Sequence, residues 1–220
     1  MVRRRRKTLE IAVEPDTSVV VAAPVDAPVE AIAEKVRKRA AWVRRKQRFF
    51  EQYLPRTPER RYVPGETHLY LGRQYRLKVT YGAPQGVRMI RGFLIVESRQ
   101  PDRIEVTRRL LERWYRDQAR KKFEERLESN LKRFPDPDAF RPQGLIVRSL
   151  ERRWGSLSPS GRLVLNRRLI EAPVDTIDYV ITHELCHTTE PHHGGAFYRL
   201  LDRVMPDWST RKERLERTLA

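Results

Sequence analysis

The residues best suited to chemistry lie close together at positions 183–187 of the 220-residue chain. His183, Glu184 and His187 form a His-Glu-x-x-His pattern, with Leu185 and Cys186 in between. On a helix, histidines four residues apart share one face, so their imidazoles can bind a single metal ion. The glutamate after the first histidine can then take a proton from a metal-bound water. The pattern predicts a metal-dependent hydrolytic site with Glu184 as its catalytic base.

The residues before this pattern predict the helix that it requires. Apolar side chains recur at 174, 177, 180 and 181, a spacing of three and four that places them on one helical face. Pro191 should end the helix soon after His187, because the residue before a proline disfavours helical backbone. Gly194 and Gly195 then allow the chain to turn back toward the metal.

A third histidine is expected to complete the metal site. His192 and His193 both follow the helix, and we favour His193, six residues after His187, as the ligand. Three histidines leave the fourth position open for water or substrate, as in catalytic zinc sites. A structural zinc site would more often use cysteines, and Cys186 is the only one. We therefore predict Zn²⁺ held by His183, His187 and His193, with Cys186 as a small buried residue.

The charge balance indicates the class of partner. Lys and Arg number 46 against 29 Asp and Glu, a formal net charge of +17, which favours polyanions such as nucleic acid or nucleotides. No zinc-finger spacing or glycine-rich phosphate loop makes this more specific. For the long basic helix predicted over about 103–134, we prefer a solvated outer face to a nucleic-acid-binding role. The expected partners are a protein, peptide or nucleotide substrate, with DNA or RNA contact through the basic surface.

No membrane segment or disulfide framework is expected. The chain contains nothing close to the roughly 20 consecutive apolar residues that cross a bilayer. Its basic start, MVRRRRK, is not followed by a continuous apolar stretch, so we expect no secretion signal. A single cysteine excludes an internal disulfide and favours a cytoplasmic location.

The order of predicted elements is strands, helix, strands, helix, strands and helices, which indicates an α+β fold. We expect a mainly antiparallel sheet packed with helices, and a zincin-like active-site helix that carries the HExxH pattern. One long helix is predicted over about 28–54, and a hairpin is predicted from strands at 145–150 and 161–165. Residues 1–134 would form an N-terminal portion and 135–220 the zinc-binding catalytic portion of one continuous globular unit.

The histidine pattern, together with His193, Gly194 and Phe197, resembles the YgjP-like metallopeptidase family, which is distantly similar to SprT-like and Wss-type proteases. Further stretches match the family pattern, namely Arg153-Trp154-Gly155-Ser156, Leu165-Asn166, Ile177-Asp178-Tyr179-Val180 and Pro206-Asp207-Trp208. The resemblance implies zinc ligands at His183, His187 and His193, and a general base at Glu184. Two positions differ from related patterns. Leu157 stands where the family commonly has cysteine, and Glu190 stands where metzincin peptidases have a helix-turning glycine.

Three functions remain open at this stage. A metallopeptidase would use Glu184 to activate a zinc-bound water for peptide-bond hydrolysis, with Arg153 or Tyr198 as donor to the oxyanion. A nucleoside triphosphate pyrophosphatase would use the same site with an arginine cluster around the metal, and the candidates are Arg152, Arg153, Arg167 and Arg168. The third function is a basic nucleic-acid-binding module with a vestigial zinc site, although such a site would not need Glu184.

Overall fold

A computed structural model describes residues 2–4, 8–13, 17–51, 60–151 and 153–219. The chain divides into two compact units, Met1–Pro58 and Glu59–Leu219. The boundary that we expected between residues 134 and 135 lies inside the second unit, and the two-portion division stays a prediction. None of the described helices is long and apolar enough to cross a membrane.

The first unit consists of a small mixed sheet and two helices. Its strands are β1 (Val2–Arg4), β2 (Glu10–Val13) and β3 (Val19–Pro24), in the order β1-β3-β2. The single helix predicted over about 28–54 is instead two helices, α1 (Val29–Lys38) and α2 (Ala40–Glu51). The break falls at Arg39, whose backbone N–H bonds the carbonyl of Val36, three residues back, at 3.0 Å. This tight turn ends the α-helical hydrogen-bond ladder.

A four-stranded sheet begins the second unit. It contains β4 (Thr67–Tyr70), β5 (Arg73–Tyr81), β6 (Gly86–Ile90) and β7 (Phe93–Ser98), in the order β4-β5-β7-β6. The long helix α3 (Ile104–Leu131) follows as predicted. Its buried side chains recur every four residues, at Leu111, Tyr115, Ala119, Phe123 and Leu127. This spacing forms one continuous core-facing stripe and leaves most charged residues of α3 at the surface, although the Arg126 side chain is only 20% exposed.

A three-stranded sheet holds the residues next to the predicted site. Its strands are β8 (Gly144–Arg148), β9 (Gly155–Leu157) and β10 (Arg162–Asn166), in the order β8-β10-β9. The predicted hairpin between the first and last of these strands is wrong, because β8 and β10 are parallel. The true hairpin joins β9 to β10. Asn166 holds the connection from β8 to β9 across the end of β10, since its side-chain amide donates to the carbonyls of Leu150 (2.8 Å) and Arg153 (3.1 Å).

The α+β class is confirmed, but the sheets are mixed. Each of the three sheets contains both a parallel and an antiparallel pairing, so the expected mainly antiparallel sheet describes only part of the arrangement. Three helices complete the second unit: α4 (Val174–Cys186), α5 (Gly195–Val204) and α6 (Trp208–Leu219). A short 3₁₀ helix over Arg167–Glu171 joins β10 to α4.

Candidate metal centre

The histidine pattern lies at the C-terminal end of a helix buried in the core. Ile177, Ile181 and Leu185 of α4 are all fully buried, so the apolar spacing in the sequence predicted its core-facing side. His183 lies in the last turn, and His187 follows Cys186 as the residue that ends the helix. The two imidazole centroids are 5.2 Å apart. The i, i+4 spacing therefore brings both rings to one side of the helix end, as the sequence predicted.

The chain beyond α4 turns back and fixes the second imidazole. The Glu190 N–H bonds the carbonyl of Cys186 at 3.0 Å, and His187 Nδ1 lies 3.0 Å from the carbonyl oxygen of Glu190. A carbonyl oxygen can only accept a hydrogen bond, so Nδ1 carries the proton in this pair. In the neutral ring, Nε2 then keeps its lone pair free for a metal.

His193 joins the other two histidines, whereas His192 does not. One nitrogen each from His183, His187 and His193 lies within 4.8 Å of the others, and the Nε2 atoms of His183 and His193 are 2.9 Å apart. Nitrogens bound to one tetrahedral zinc ion would be separated by roughly 3.4 Å, given bonds of about 2.0–2.1 Å. The cluster therefore fits a metal ion with little movement. His192 is exposed and lies outside it.

The environment keeps the first imidazole in the form that binds metals. Burial, together with the charges of His187 and His193, lowers the pKa of His183 to about 3. The Nδ1 atom of His183 is buried and has no hydrogen-bond partner among the described residues. A neutral imidazole is the metal-ligating form of histidine. Burial also lowers the pKa of His193.

A phenylalanine packs against all three imidazoles. Phe197, in the first turn of α5, is fully buried, and its ring centroid lies 4.9 Å from that of His183, 4.7 Å from His187 and 4.7 Å from His193. The ring covers one side of the cluster and limits rotation of the imidazoles. The sequence marked Phe197 only through family resemblance, because apolar spacing alone cannot distinguish it from an ordinary core residue.

Glu184 is held between the metal-site helix and strand β9. Its side chain is buried, with 8% of the residue exposed. Burial raises the pKa of Glu184 to about 7, against the opposing effects of a hydrogen bond from the backbone of Leu157 and the charge of Arg153. Gly155 makes this position accessible, since a Cβ there would lie 2.8 Å from Glu184 Cγ and 3.1 Å from Val180 Cγ1.

Comparison with known protein families agrees with this arrangement. The family described as "YgjP-like, metallopeptidase domain" matches residues 7–218. The chain belongs to the YgjP-like metallopeptidase family. Membership confirms the expected family and implies a hydrolase that acts on peptides. The crystal structure of the metallopeptidase zymogen of Pyrococcus abyssi abylysin is similar over 42% of this chain and 90% of that chain, with 20% identity and a TM-score of 0.36. The search of curated proteins gives no match.

The arginines proposed to surround the metal are dispersed in this YgjP-like protein. Arg153 is near enough for its charge to lower the pKa of Glu184. Arg167 instead lines a cleft with residues of α3 and β8. The guanidinium of Arg168 lies over the Trp154 ring and donates to the carbonyl of Leu219 at 3.2 Å. Arg152 lies outside the described residues. The described part of the chain therefore shows no arginine cluster at the metal centre.

Two other predicted residues are located clearly. Tyr198 is 40% exposed, and its ring centroid lies 6.5 Å from that of His193 and 5.6 Å from that of Trp208. It therefore borders the histidine cluster on the solvent side. Cys186 is fully buried, and burial raises the pKa of its thiol to about 12. The prediction that Cys186 is a small buried residue is confirmed.

The sequence analysis missed an ion-pair network that anchors the metal-site helix. The Asp178 carboxylate accepts two hydrogen bonds from Arg126, at 2.7 and 2.8 Å, and one from Asn130 Nδ2 at 2.8 Å. Thr182 donates to Asn130 Oδ1 at 3.2 Å, so a second residue of α4 joins the network. Arg126 and Asn130 are four residues apart on α3, and Asp178 and Thr182 are four residues apart on α4. That spacing could have indicated two matching polar faces.

Proposed function

We propose that this chain is a zinc-dependent metallopeptidase in which His183, His187 and His193 hold the metal and Glu184 is the catalytic base. The observation that carries this proposal is the cluster of three histidines together with the buried Glu184, which directly follows His183 on α4. Imidazole nitrogens suit zinc and other transition metals rather than Mg²⁺ or Ca²⁺, and three of them leave a position open, as in catalytic zinc sites. Zinc, when bound, supplies a Lewis acid that polarises the scissile carbonyl and makes water a nucleophile near neutral pH.

Glu184 has the environment that a proton-transferring carboxylate needs. Its burial opposes ionisation, while the Leu157 backbone and Arg153 favour the charged form, so its pKa lies near neutrality at about 7. A group with a pKa near the operating pH can take a proton from water and return it to the leaving amine. We propose that Glu184 performs both transfers.

The open edge of β9 supports a peptide as the substrate. Within the described residues β9 pairs on one side only, with β10. The Ser158 N–H bonds the carbonyl of Arg162 at 2.9 Å, so by the alternation of antiparallel ladders Leu157 and Gly155 point their backbone groups away from β10. The Leu157 N–H is directed at Glu184, so an extended peptide would add to this edge through main-chain hydrogen bonds with the Leu157 carbonyl and the backbone groups of Gly155. This would place the peptide backbone beside Glu184.

The other two functions have less support. A nucleotide pyrophosphatase would need cations around the metal to bind the phosphates, and of the three proposed arginines that are described, only Arg153 acts on the base. A vestigial site would have no use for Glu184, whose carboxylate is costly to bury. Arg153 and Tyr198 remain our proposed sources of a hydrogen-bond donor to the developing oxyanion.

The test combines metal content with hydrolysis. Purified protein should contain about one zinc ion per chain, as a three-histidine site predicts, and should cleave a labelled protein such as fluorescein-casein. Glu184→Gln should keep the metal and lose activity by at least about 100-fold, because general-base catalysis contributes that much. Zinc-loaded protein that cleaves no peptide but releases pyrophosphate from nucleoside triphosphates would favour the alternative enzyme. Full activity in Glu184→Gln would refute the assigned base.

A further inference from the structure

Three arginines converge on a small cleft in the second unit. Arg116, Arg148 and Arg167 line a cavity of about 350 Å³, together with Glu112, Val147 and Ser149. Arg116 lies in the middle of α3, Arg148 is the last residue of β8, and Arg167 begins the 3₁₀ helix after β10. Because β8 and β10 are parallel, their C-terminal ends meet at this point. The fold therefore gathers charges that are far apart in the sequence.

In the described part of the chain no carboxylate forms a hydrogen bond or direct ion pair with these three guanidinium groups, although Glu112 lines the cleft and Glu171 is near enough to interact with the charge of Arg167. Glu112, the only acidic residue in the lining, accepts a hydrogen bond from Arg108 at 3.0 Å. Like charges around one cleft repel, and a bound anion would offset that repulsion. The planar fork of arginine suits the oxygen pairs of phosphate in particular.

The positive surface extends beyond the cleft along α3. Arg109 and Arg113 precede Arg116 at spacings of four and three residues, which places all three on one side of the helix. Both are exposed, and neither has an ion pair with a residue that the structure describes. The stripe from Arg109 to Arg116 covers about 10 Å of helix axis. It is therefore long enough for more than one phosphate group.

The cleft is separate from the metal centre. Strands β8 and β9 lie on opposite sides of β10, so the cleft at the end of β8 and Glu184 beside β9 are about two strand spacings apart, roughly 10 Å. The segment from Ser149 to Arg153 connects these two edges of the sheet. An anion bound in the cleft would not occupy the hydrolytic site, although it would lie next to the segment that leads to it.

We propose that the cleft formed by Arg116, Arg148 and Arg167 is a phosphate-binding site outside the catalytic centre. The phosphate groups can come from a nucleic-acid backbone or from a nucleoside polyphosphate. The proposal requires neither the metal nor Glu184, so it stands or falls separately from the peptidase function. It also gives the basic stripe of α3 a partner, where the sequence alone favoured a merely solvated face.

The experiment compares two phosphate sources with the full chain in the presence of a chelator. A short fluorescein-labelled DNA oligonucleotide is titrated by anisotropy, and ATP by calorimetry. Arg116→Gln and Arg148→Gln should each weaken binding of the true ligand about tenfold, as expected for loss of a charge-assisted hydrogen bond. For DNA, the slope of log affinity against log salt should fall by roughly 0.7–0.9 for each arginine removed.

Arg162→Gln is the matched control. Arg162 is exposed and begins β10, so it lies about 16 Å along the same strand from Arg167. The Arg162→Gln substitution changes the net charge by the same amount as each cleft variant, and it should weaken binding less than twofold. If the cleft variants weaken the binding of DNA alone, the ligand is a nucleic-acid backbone. If they weaken the binding of ATP, the ligand is a nucleotide. The proposal is overturned if wild type binds neither ligand, or if Arg162→Gln weakens binding as much as the cleft variants do.

Discussion

The backbone of Gly155 lies directly against the carboxylate of Glu184. A Cβ at position 155 would be 2.8 Å from Glu184 Cγ and 3.0 Å from its Oε1. Such separations are shorter than ordinary carbon contacts, so any side chain at this point of β9 would displace the glutamate. Strand β9 can therefore donate its Leu157 N–H to the base only because residue 155 is glycine.

Gly155→Ala should consequently reduce catalysis without removing the metal. We expect kcat for peptide hydrolysis to fall at least about tenfold, because a small misplacement of a catalytic group is costly. Crowding against Val180 should also lower the free energy of unfolding by about 1–3 kcal/mol. Steady-state kinetics, metal analysis and urea unfolding check these outcomes.

Gly144→Ala is the control for this substitution, because a Cβ at Gly144 meets nothing within 4 Å. It lies in the same sheet, at the start of β8, and should retain wild-type kcat. If Gly155→Ala were as active as Gly144→Ala, Glu184 would not depend on this close approach.

The two adjacent histidines after α4 should differ sharply in their effect on metal binding. His193→Ala should lower zinc content to a small fraction of wild type, because its Nε2 lies 2.9 Å from that of His183 and no other described histidine takes its place. His192→Ala should leave zinc content unchanged, because His192 is exposed and outside the cluster. Elemental analysis of both proteins after dialysis without chelator decides the matter. Equal zinc loss in both would mean that the ligand assignment is wrong.

Local sequence patterns were sufficient for the histidine cluster. The i, i+4 spacing and the apolar positions of α4 predicted a buried helix with both imidazoles on one side. The helix ends at Cys186, slightly earlier than the end after His187 that Pro191 led us to expect. The pairing of His193 with the other two follows from a short turn of a few residues. Features of this kind depend on neighbouring residues in the chain, so a single sequence contains the information.

Contacts between distant segments were not predictable in the same way. The parallel pairing of β8 with β10 was mistaken for a hairpin, because the spacing of apolar residues does not indicate strand direction. The close approach of Gly155 to Glu184 depends on how β9 packs against α4. The same is true of the cleft of Arg116, Arg148 and Arg167, whose residues come from three separate elements.

The ion pair between Asp178 and Arg126 should matter more for stability than any surface pair on α3. Asp178 is 4% exposed, and asparagine at this position would remove the negative charge and place an NH2 donor, in place of one accepting oxygen, against the donors of Arg126 and Asn130. Asp178→Asn should lower the free energy of unfolding by about 2–4 kcal/mol, since loss of one partner of a buried pair is strongly destabilising. Urea unfolding followed by tryptophan fluorescence measures the change.

Glu128→Gln provides the comparison on the same helix. Glu128 pairs with Arg141 at the surface, where their side chains are 58% and 45% exposed, and solvent screens such pairs. Its effect on unfolding should be much smaller than that of Asp178→Asn. Comparable losses in the two variants would show that burial of the Asp178 network contributes nothing specific.

His68 should make stability depend on pH. The residue is fully buried, its Nε2 lies 3.1 Å from Glu66 Oε2, and its Nδ1 has no partner among the described residues. Burial and the nearby charge of Arg60 lower the pKa of His68 to about 4, against the opposing effect of Glu66. An unfolded histidine has a pKa of about 6.5. As pH falls from about 6.5 to 4, the unfolded chain therefore binds a proton before the folded protein does.

The free energy of unfolding should accordingly decrease over that interval, by up to about 3 kcal/mol from this group. His68→Gln, which can still donate to Glu66 but cannot titrate, should show a smaller decrease between pH 7 and 4.5. His192→Gln, at an exposed position, should retain the wild-type dependence. Urea unfolding at both pH values gives the comparison, and NMR titration of wild type should show the His68 imidazole still neutral at pH 5. An imidazole that is protonated at pH 6 in the folded protein would contradict the prediction, because burial would then impose no penalty on its charge.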